Sequence, residues 1–322
     1  MSVALDMFGK VERESTVRGH VEHTRMHPSA RESRGIQMRR ARSRSFKVLT
    51  VASNKGGVGK TTIAANLAVY FRALREDLPI LVFGLDDQSI LDRMFAVDPS
   101  EPEHTVATGL RAGTFENMIR LGQYGVHYVP SAPNASELKQ EIRDPLRLLE
   151  TLQRTGWNGL VIVDTKSDLE ILTCNAVVAS DLVLVPVKND TSLQEAKKIF
   201  SMFDEWSWSR KRARIILSMI DRRIKFRGDV PQDVLSLLLT EIRELGYPLL
   251  ESFISGSPKV ESLSTNPAGR VMSVLHGAAG SIVHSQLYHV AREVLGALVL
   301  DRHDEGLDLD QRSVGGFAAA FG

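Results

Sequence analysis

Short runs of Val, Ile and Leu recur through the middle of the chain, at residues 47–52, 80–83, 126–129, 160–163, 182–187, 215–219 and 250–254. Each is too short for a typical helix and almost uninterrupted by polar residues, which predicts strands covered on both faces. Between these runs the apolar period lengthens. Ile63, Leu67, Phe71 and Leu74 recur every three or four residues, as do Val234, Leu237, Leu238 and Ile242. Both spacings put the apolar side chains on one face of a helix. Strands alternating with helices predict an α/β domain: a mostly parallel twisted sheet flanked by helices on both faces. Such sheets bind ligands beyond the carboxyl ends of their strands. Chemistry is therefore expected just after Ala52, Phe83, Val163 and Met219.

Composition changes this picture at the two ends. The 322 residues carry 40 Lys and Arg against 39 Asp and Glu, so bulk charge names no partner. Residues 1–47, however, hold eleven basic against five acidic side chains, crowded toward Arg39, Arg40, Arg42, Arg44 and Lys47. With little apolar periodicity, residues 1–45 read as a basic, disordered arm. Arginines of this density occur in transit peptides, but Asp6, Glu12 and Glu14 argue against one, and no signal-peptide apolar core is present. Residues 301–322, acidic and then rich in Gly and Ala, read as a disordered tail, leaving 46–300 as the folded part. No apolar run approaches the ~18 residues of a membrane span. The single cysteine, Cys174, excludes a disulfide framework and any site of several thiolates on one chain, and indicates a reducing compartment. On a helical stretch it reads as core packing.

The strongest chemical signal follows the first strand: Ser53-Asn54-Lys55-Gly56-Gly57-Val58-Gly59-Lys60-Thr61-Thr62, leading into a helix from about Thr61. Glycines there let the backbone turn tightly, so consecutive N–H groups face phosphate oxygens. Lys60 is suited to neutralise β- and γ-phosphates and the Thr61 hydroxyl to ligate Mg²⁺, while the helix presents its positive end to the same anion. This defines a P-loop NTPase-type domain, with residues 55–62 (Lys55, Gly56, Gly57, Val58, Gly59, Lys60, Thr61 and Thr62) holding the nucleotide.

Asn54 stands where the ordinary P-loop has its first glycine, and Lys55 is an additional lysine. Together they resemble the deviant Walker A loop of the ParA/MinD family of dimeric ATPases. Further segments extend the likeness over most of 46–300. Asp86 and Gln88 match the family's Asp-x-Asp-Pro-Gln, whereas Gly84 and Asp87 depart from it. The run 160–163 closes on Asp164 in Walker B form, but Thr165-Lys166-Ser167 replaces the usual Asp-x-Pro-Pro continuation. Residues 179–187 resemble strand five, and Ser218-Met219-Ile220-Asp221-Arg222-Arg223 resembles the Thr-Met-Tyr-Asp-x-Arg segment of partition ATPases. The absence of an Asn-Lys-x-Asp signature favours ATP over GTP.

The resemblance implies an ATP- and Mg²⁺-dependent homodimer with slow, partner-stimulated hydrolysis. Lys55 would reach the partner copy's phosphates, Asp86 would orient the attacking water and sense the metal, and Asp164 would hold the metal with Thr61. The catalytic set is then Lys55, Lys60 and Asp86, and the metal set Thr61, Asp86 and Asp164. Asp87 either slows hydrolysis or moves the water-orienting role; as a turn residue it faces solvent. Lys166 reads as a surface lysine.

Family members differ in what the ATP-bound dimer holds. The chain after about residue 300 carries Asp304, Glu305, Asp308 and Asp310, which anionic lipid repels, so no membrane partner is expected. Paired cysteines of metal carriers and the tyrosine cluster of bacterial tyrosine kinases are both missing. Non-specific DNA binding remains, carried by Arg210, Lys211, Arg212 and Arg214, then Arg222, Arg223, Lys225 and Arg227, joined by Lys259 and Arg270. The 39–47 stretch would add phosphate contacts or bind another protein, and is too short for a winged-helix domain. The expectation is a cytoplasmic, nucleoid-associated ParA-like ATPase that positions a chromosome, plasmid or other cargo with a ParB-like or other activating protein. The alternatives are a MinD-like membrane regulator of division or flagellar placement, and a degenerate nucleotide-binding scaffold.

Overall fold

The central strand β1 (Phe46–Val51) lies between β5 (Gly159–Asp164) and β6 (Leu182–Val187), both parallel to it. This computed structural model describes residues 35, 44–86, 90–96, 103–132, 135–221, 223, 225–226, 232–265 and 271–300. The seven-stranded sheet has the order β3-β4-β2-β5-β1-β6-β7, with β2 at Ile80–Gly84, β3 at Arg120–Leu121, β4 at His127–Tyr128 and β7 at Ala213–Leu217. All strands run parallel except β3, a two-residue antiparallel edge that the apolar pattern does not announce.

Alternation explains why the strands read as continuous apolar runs. Leu160 and Ile162 face one layer while Val161 and Val163 face the other, and all four are buried. On the first face α1 (Lys60–Leu74) buries Ile63, Leu67 and Phe71 beside α11 (Ile282–Leu300). The opposite face is covered by α3 (Val106–Ala112), α4 (Ala135–Glu141), α5 (Arg147–Thr155) and α6 (Ile171–Ala179). Cys174 packs inside α6, fully buried, and burial pushes its thiol up to about 12. Around β6 and β7 lie α7 (Asp190–Glu205) and α8 (Val234–Glu244), with Leu238 and Ile242 buried and Leu237 39% exposed. Two of the four positions on that predicted stripe are thus at best partly covered. Among the described residues, no helix is long and apolar enough to cross a membrane.

The expected strand at 250–254 does not form. Leu250 N–H donates to the Ile215 carbonyl at 2.9 Å and Ile254 N–H to the Leu217 carbonyl at 2.8 Å. Between them the Glu293 carboxylate of α11 takes the N–H groups of Glu251 and Ser252 at 2.7 and 3.1 Å. The side chain thus takes the Ser252 donor that a continuous ladder on β7 would have used, together with its neighbour's. A short antiparallel pair, Lys225–Phe226 with Gln232–Asp233, also goes unannounced.

Most of the basic arm and the whole acidic tail lie outside the described residues. Arg44, within that arm, is nevertheless fixed to the domain. Its guanidinium meets Asp181 at 2.5 Å and the Ala179 carbonyl at 3.2 Å, with Lys47 at 3.8 Å from the same carboxylate. Asp181 also accepts from Val48 N–H at 2.8 Å, so these two cations serve the start of β1 and β6.

Candidate active site

β1, β2 and β5 end side by side, because Val51 and Gly84 both pair in register with Asp164. This brings residues far apart in sequence to one rim. From there Ser53 to Gly59 loop over into α1. Gly57 (φ 71°) and Gly59 (φ 87°) are left-handed, where a side chain is strained. A Cβ on Gly59 would also lie 3.5 Å from the Met219 sulfur. The α1 N-terminus has no side-chain cap and no acid in its first turn, which leaves its N–H donors open to an anion.

Lys60 folds back over this loop. Its ammonium donates to the Lys55 carbonyl at 3.0 Å and to Ser167 Oγ at 2.7 Å. Burial pulls Lys60 below the usual lysine range, against the attraction of Asp164, Asp86 and Asp168. Asp164 is 2% exposed. Burial pushes its carboxyl up to about 7, opposed by the hydrogen bond from the Thr61 hydroxyl and the charge of Lys60. Asp86, only partly covered, stands close enough to raise Asp164 further.

One Asp164 oxygen, Oδ1, is buried with no hydrogen-bond partner among the described residues. An orphaned carboxylate oxygen beside a threonine hydroxyl suits a hard divalent cation. No group of three or more His, Cys, Asp or Glu capable of holding a metal occurs among the described residues. The Asp164 oxygen and the Thr61 hydroxyl suit Mg²⁺, which takes one or two carboxylates and completes its octahedron with phosphates and water.

The chain after β5 is pinned at both ends. Thr165 donates to the Val51 carbonyl through N–H at 3.3 Å and Oγ1 at 3.1 Å. Asp168 accepts from Lys139 of α4 at 2.6 Å, Thr173 Oγ1 at 3.1 Å and Glu170 N–H at 3.1 Å. Lys139 also reaches Glu170 at 2.6 Å. On the other side, Glu195 of α7 binds the Asn54 amide and pairs with Lys198 at 2.7 Å. The hydrogen bonds from Lys198 and Asn54 hold Glu195 below the usual carboxylate range, and Lys55, exposed on the rim, adds to this through its charge. Ser218 donates to the Val58 carbonyl at 2.6 Å.

Lys55, Lys60, Thr61, Asp86 and Asp164 are therefore brought together, as expected from the motifs. Asp87 and Gln88 lie outside the described residues. Ser167, Lys139, Glu195 and Ser218 were not predicted as site residues. Ser167 and Ser218 lie in segments compared with the family in sequence, whereas Lys139 and Glu195 carried no sequence signal.

The two basic clusters lie on either side of β7. Arg210–Arg212 precedes β7, and Asp221 and Arg223 follow it. The length of the strand, roughly 16 Å at 3.3 Å per residue, separates the two clusters. Arg210–Arg212 and Arg223 sit at opposite ends of β7, and Arg214 lies within it. Arg210 is held by Asp204 at 2.7 and 2.5 Å and lies over the Tyr247 ring, while Lys211 is exposed. Arg212 turns inward over Trp208, 4.2 Å from the ring centre, and donates to the Ser180 carbonyl at 2.6 Å. It is a packing residue rather than part of a surface patch. Arg223, on the phosphate-loop side, is exposed and pairs with Asp221 at 2.8 Å. Lys259 is also exposed. Arg222, Arg227 and Arg270 lie outside the described residues, and of Lys225 only the backbone is described.

A strand, a glycine loop, a buried lysine on a helix start and a carboxylate on the neighbouring strand define a P-loop nucleotide-binding site. A family model described as "AAA domain" matches residues 46–213, over half of the chain. The chain belongs to that family, within the ParA/MinD group of P-loop ATPases. It is 29% identical over 203 residues to the chromosome partitioning protein ParA of Caulobacter vibrioides, covering 59% of this chain and 75% of that one. It is 34% identical over 141 residues to the chromosome-partitioning ATPase Soj of Thermus thermophilus, covering 44% and 54%. The structure of the septum site-determining protein MinD from Pyrococcus horikoshii, complexed with Mg-ADP, superposes with a TM-score of 0.62. That match has 18% identity and covers 80% of this chain and 100% of that one.

Proposed function

We propose that this chain is a ParA-like ATPase that dimerises on ATP and Mg²⁺, binds DNA without sequence preference, and releases it after hydrolysis. The observation that carries this reading is the convergence of Lys60, Thr61, Asp86 and Asp164 beneath a left-handed glycine loop. In it the loop N–H groups and Lys60 bind the β- and γ-phosphates. Thr61 and Asp164 hold the metal, which supplies charge neutralisation to the phosphates when bound. Asp86, at the open edge, orients the attacking water. Lys55, exposed on the rim, reaches the phosphates of a second copy, as an arginine finger does.

Two copies double the basic surface, so DNA affinity follows the nucleotide state. Arg223, on the phosphate-loop side, leads that surface, with Arg222, Lys225, Arg227 and Arg270 as further candidates. Arg210 and Lys211, at the far end of β7, would require a separate contact. The relatives named for chromosome partitioning support a segregation or positioning role; a nucleoid location and an activating partner protein are part of the proposal.

The test is the size of the particle. An Asp86→Ala chain with ATP and Mg²⁺ should bind nucleotide, turn over slowly, and elute as a dimer by light scattering. A monomer at saturating nucleotide overturns the dimer switch.

A further inference from the structure

The Ser167 hydroxyl has a place in the site that the reading above leaves unused. It lies 2.7 Å from the Lys60 ammonium, and 3.6 Å from where a side chain on Gly56 would begin, so it overhangs the phosphate loop. An ammonium only donates, so in this contact Ser167 Oγ accepts. Its own proton remains to be given. Among the described residues nothing accepts it, and Ser167 is exposed at the rim. What belongs there is an acceptor that also attracts Lys60, and a phosphate oxygen is that kind of group.

The position is held from both sides. Thr165 is tied to the Val51 carbonyl, and Asp168 to Lys139, Thr173 and the Glu170 N–H. Only Lys166 and Ser167 lie between these anchors. Lys139 comes from α4, on the opposite sheet face from α1, so its ion pair anchors Asp168, the residue after Ser167, from that side.

We propose that Ser167 reads the terminal phosphate of a bound nucleoside triphosphate, donating its proton to a γ-oxygen while still accepting from Lys60, and that Lys139 is a positioning residue for it. This rests on the nucleotide-binding reading above. A diphosphate keeps the Lys60–Ser167 contact but offers no γ-oxygen. Ser167 thereby contributes to the preference for ATP over ADP.

The test is calorimetric binding of ADP and of a non-hydrolysable ATP analogue, each with Mg²⁺, to the full chain and its variants. Ser167→Ala should weaken the triphosphate analogue about tenfold, the loss of one charge-assisted hydrogen bond, and leave ADP within about twofold. Ser167→Thr should restore the difference. Lys139→Met should shift the same ratio by a smaller factor. Equal changes for both nucleotides, or no change in Ser167→Ala, overturns the proposal. An unchanged ratio in Lys139→Met alone removes that residue's positioning role. If the unaltered chain binds neither nucleotide, it is the parent reading that fails.

Discussion

Ser218 donates its hydroxyl to the Val58 carbonyl at 2.6 Å, joining the exit of β7 to the phosphate loop across 160 residues of sequence. The bond is buried and neutral, so its loss should cost about 1 kcal/mol. Ser218→Ala is expected to lower Tm by about 2–4 °C, as fits a domain of this size. It should also weaken nucleotide binding, because Val58 lies between the two left-handed glycines. Calorimetry with and without nucleotide separates the two effects.

Lys60 is the buried cation of the loop, and no neighbouring lysine can replace its position. Lys60→Ala should reduce affinity for ATP at least a hundredfold, about 2.7 kcal/mol. Isothermal titration measures this directly. The chain should stay folded, since removing a buried ammonium relieves a desolvation cost.

Burial pulls His127, His276 and His284 below the ordinary histidine value of 6.5. Between the depressed values and 6.5 the unfolded chain binds protons that the folded chain refuses. Stability is therefore complete above that window and falls as pH drops through it. The Tyr70 hydroxyl pairs with His284 Nδ1 at 2.7 Å, tying α1 to α11. Asp164, pushed up to about 7, takes up a proton on folding in the same range and opposes this, so the histidine effect is read in Asp164→Asn, where Tm should fall from about pH 7.5 to about pH 5.5, with a flatter slope when His284→Gln is added. Differential scanning calorimetry across that range checks the sign.

The two basic clusters should respond to different assays. Arg212→Met removes the donor to the Ser180 carbonyl and should cost about 1–3 kcal/mol of stability, with DNA retention unchanged. Replacing Arg222 and Arg223 together by Glu should lower DNA affinity and flatten its salt dependence. Nucleotide binding should be unaffected. Filter binding at two salt concentrations, beside a thermal melt, distinguishes the pair.

What could be read in the chain alone was local. The loop of 53–62 is legible because its glycine conformations, its lysine and its threonine all lie within ten consecutive residues. The strands were legible because a sheet covered on both faces needs apolar side chains at every position, and Asp164 because it closes such a run. Hydrophobic periodicity could not show that Glu293 takes the backbone donors of Glu251 and Ser252 and so interrupts the pairing with β7. Nor could a count of arginines show that Arg212 points into an aromatic cluster while Arg223 faces solvent. Ser167 meets Lys60 from 107 residues away, and Glu195 meets Asn54 from 141. Contacts of that span exist only once strand order sets β5 beside β1 and carries α7 to the same rim. Backbone preference and apolar period act over a few residues. The partners of charged and hydroxyl groups are chosen by which strands become neighbours.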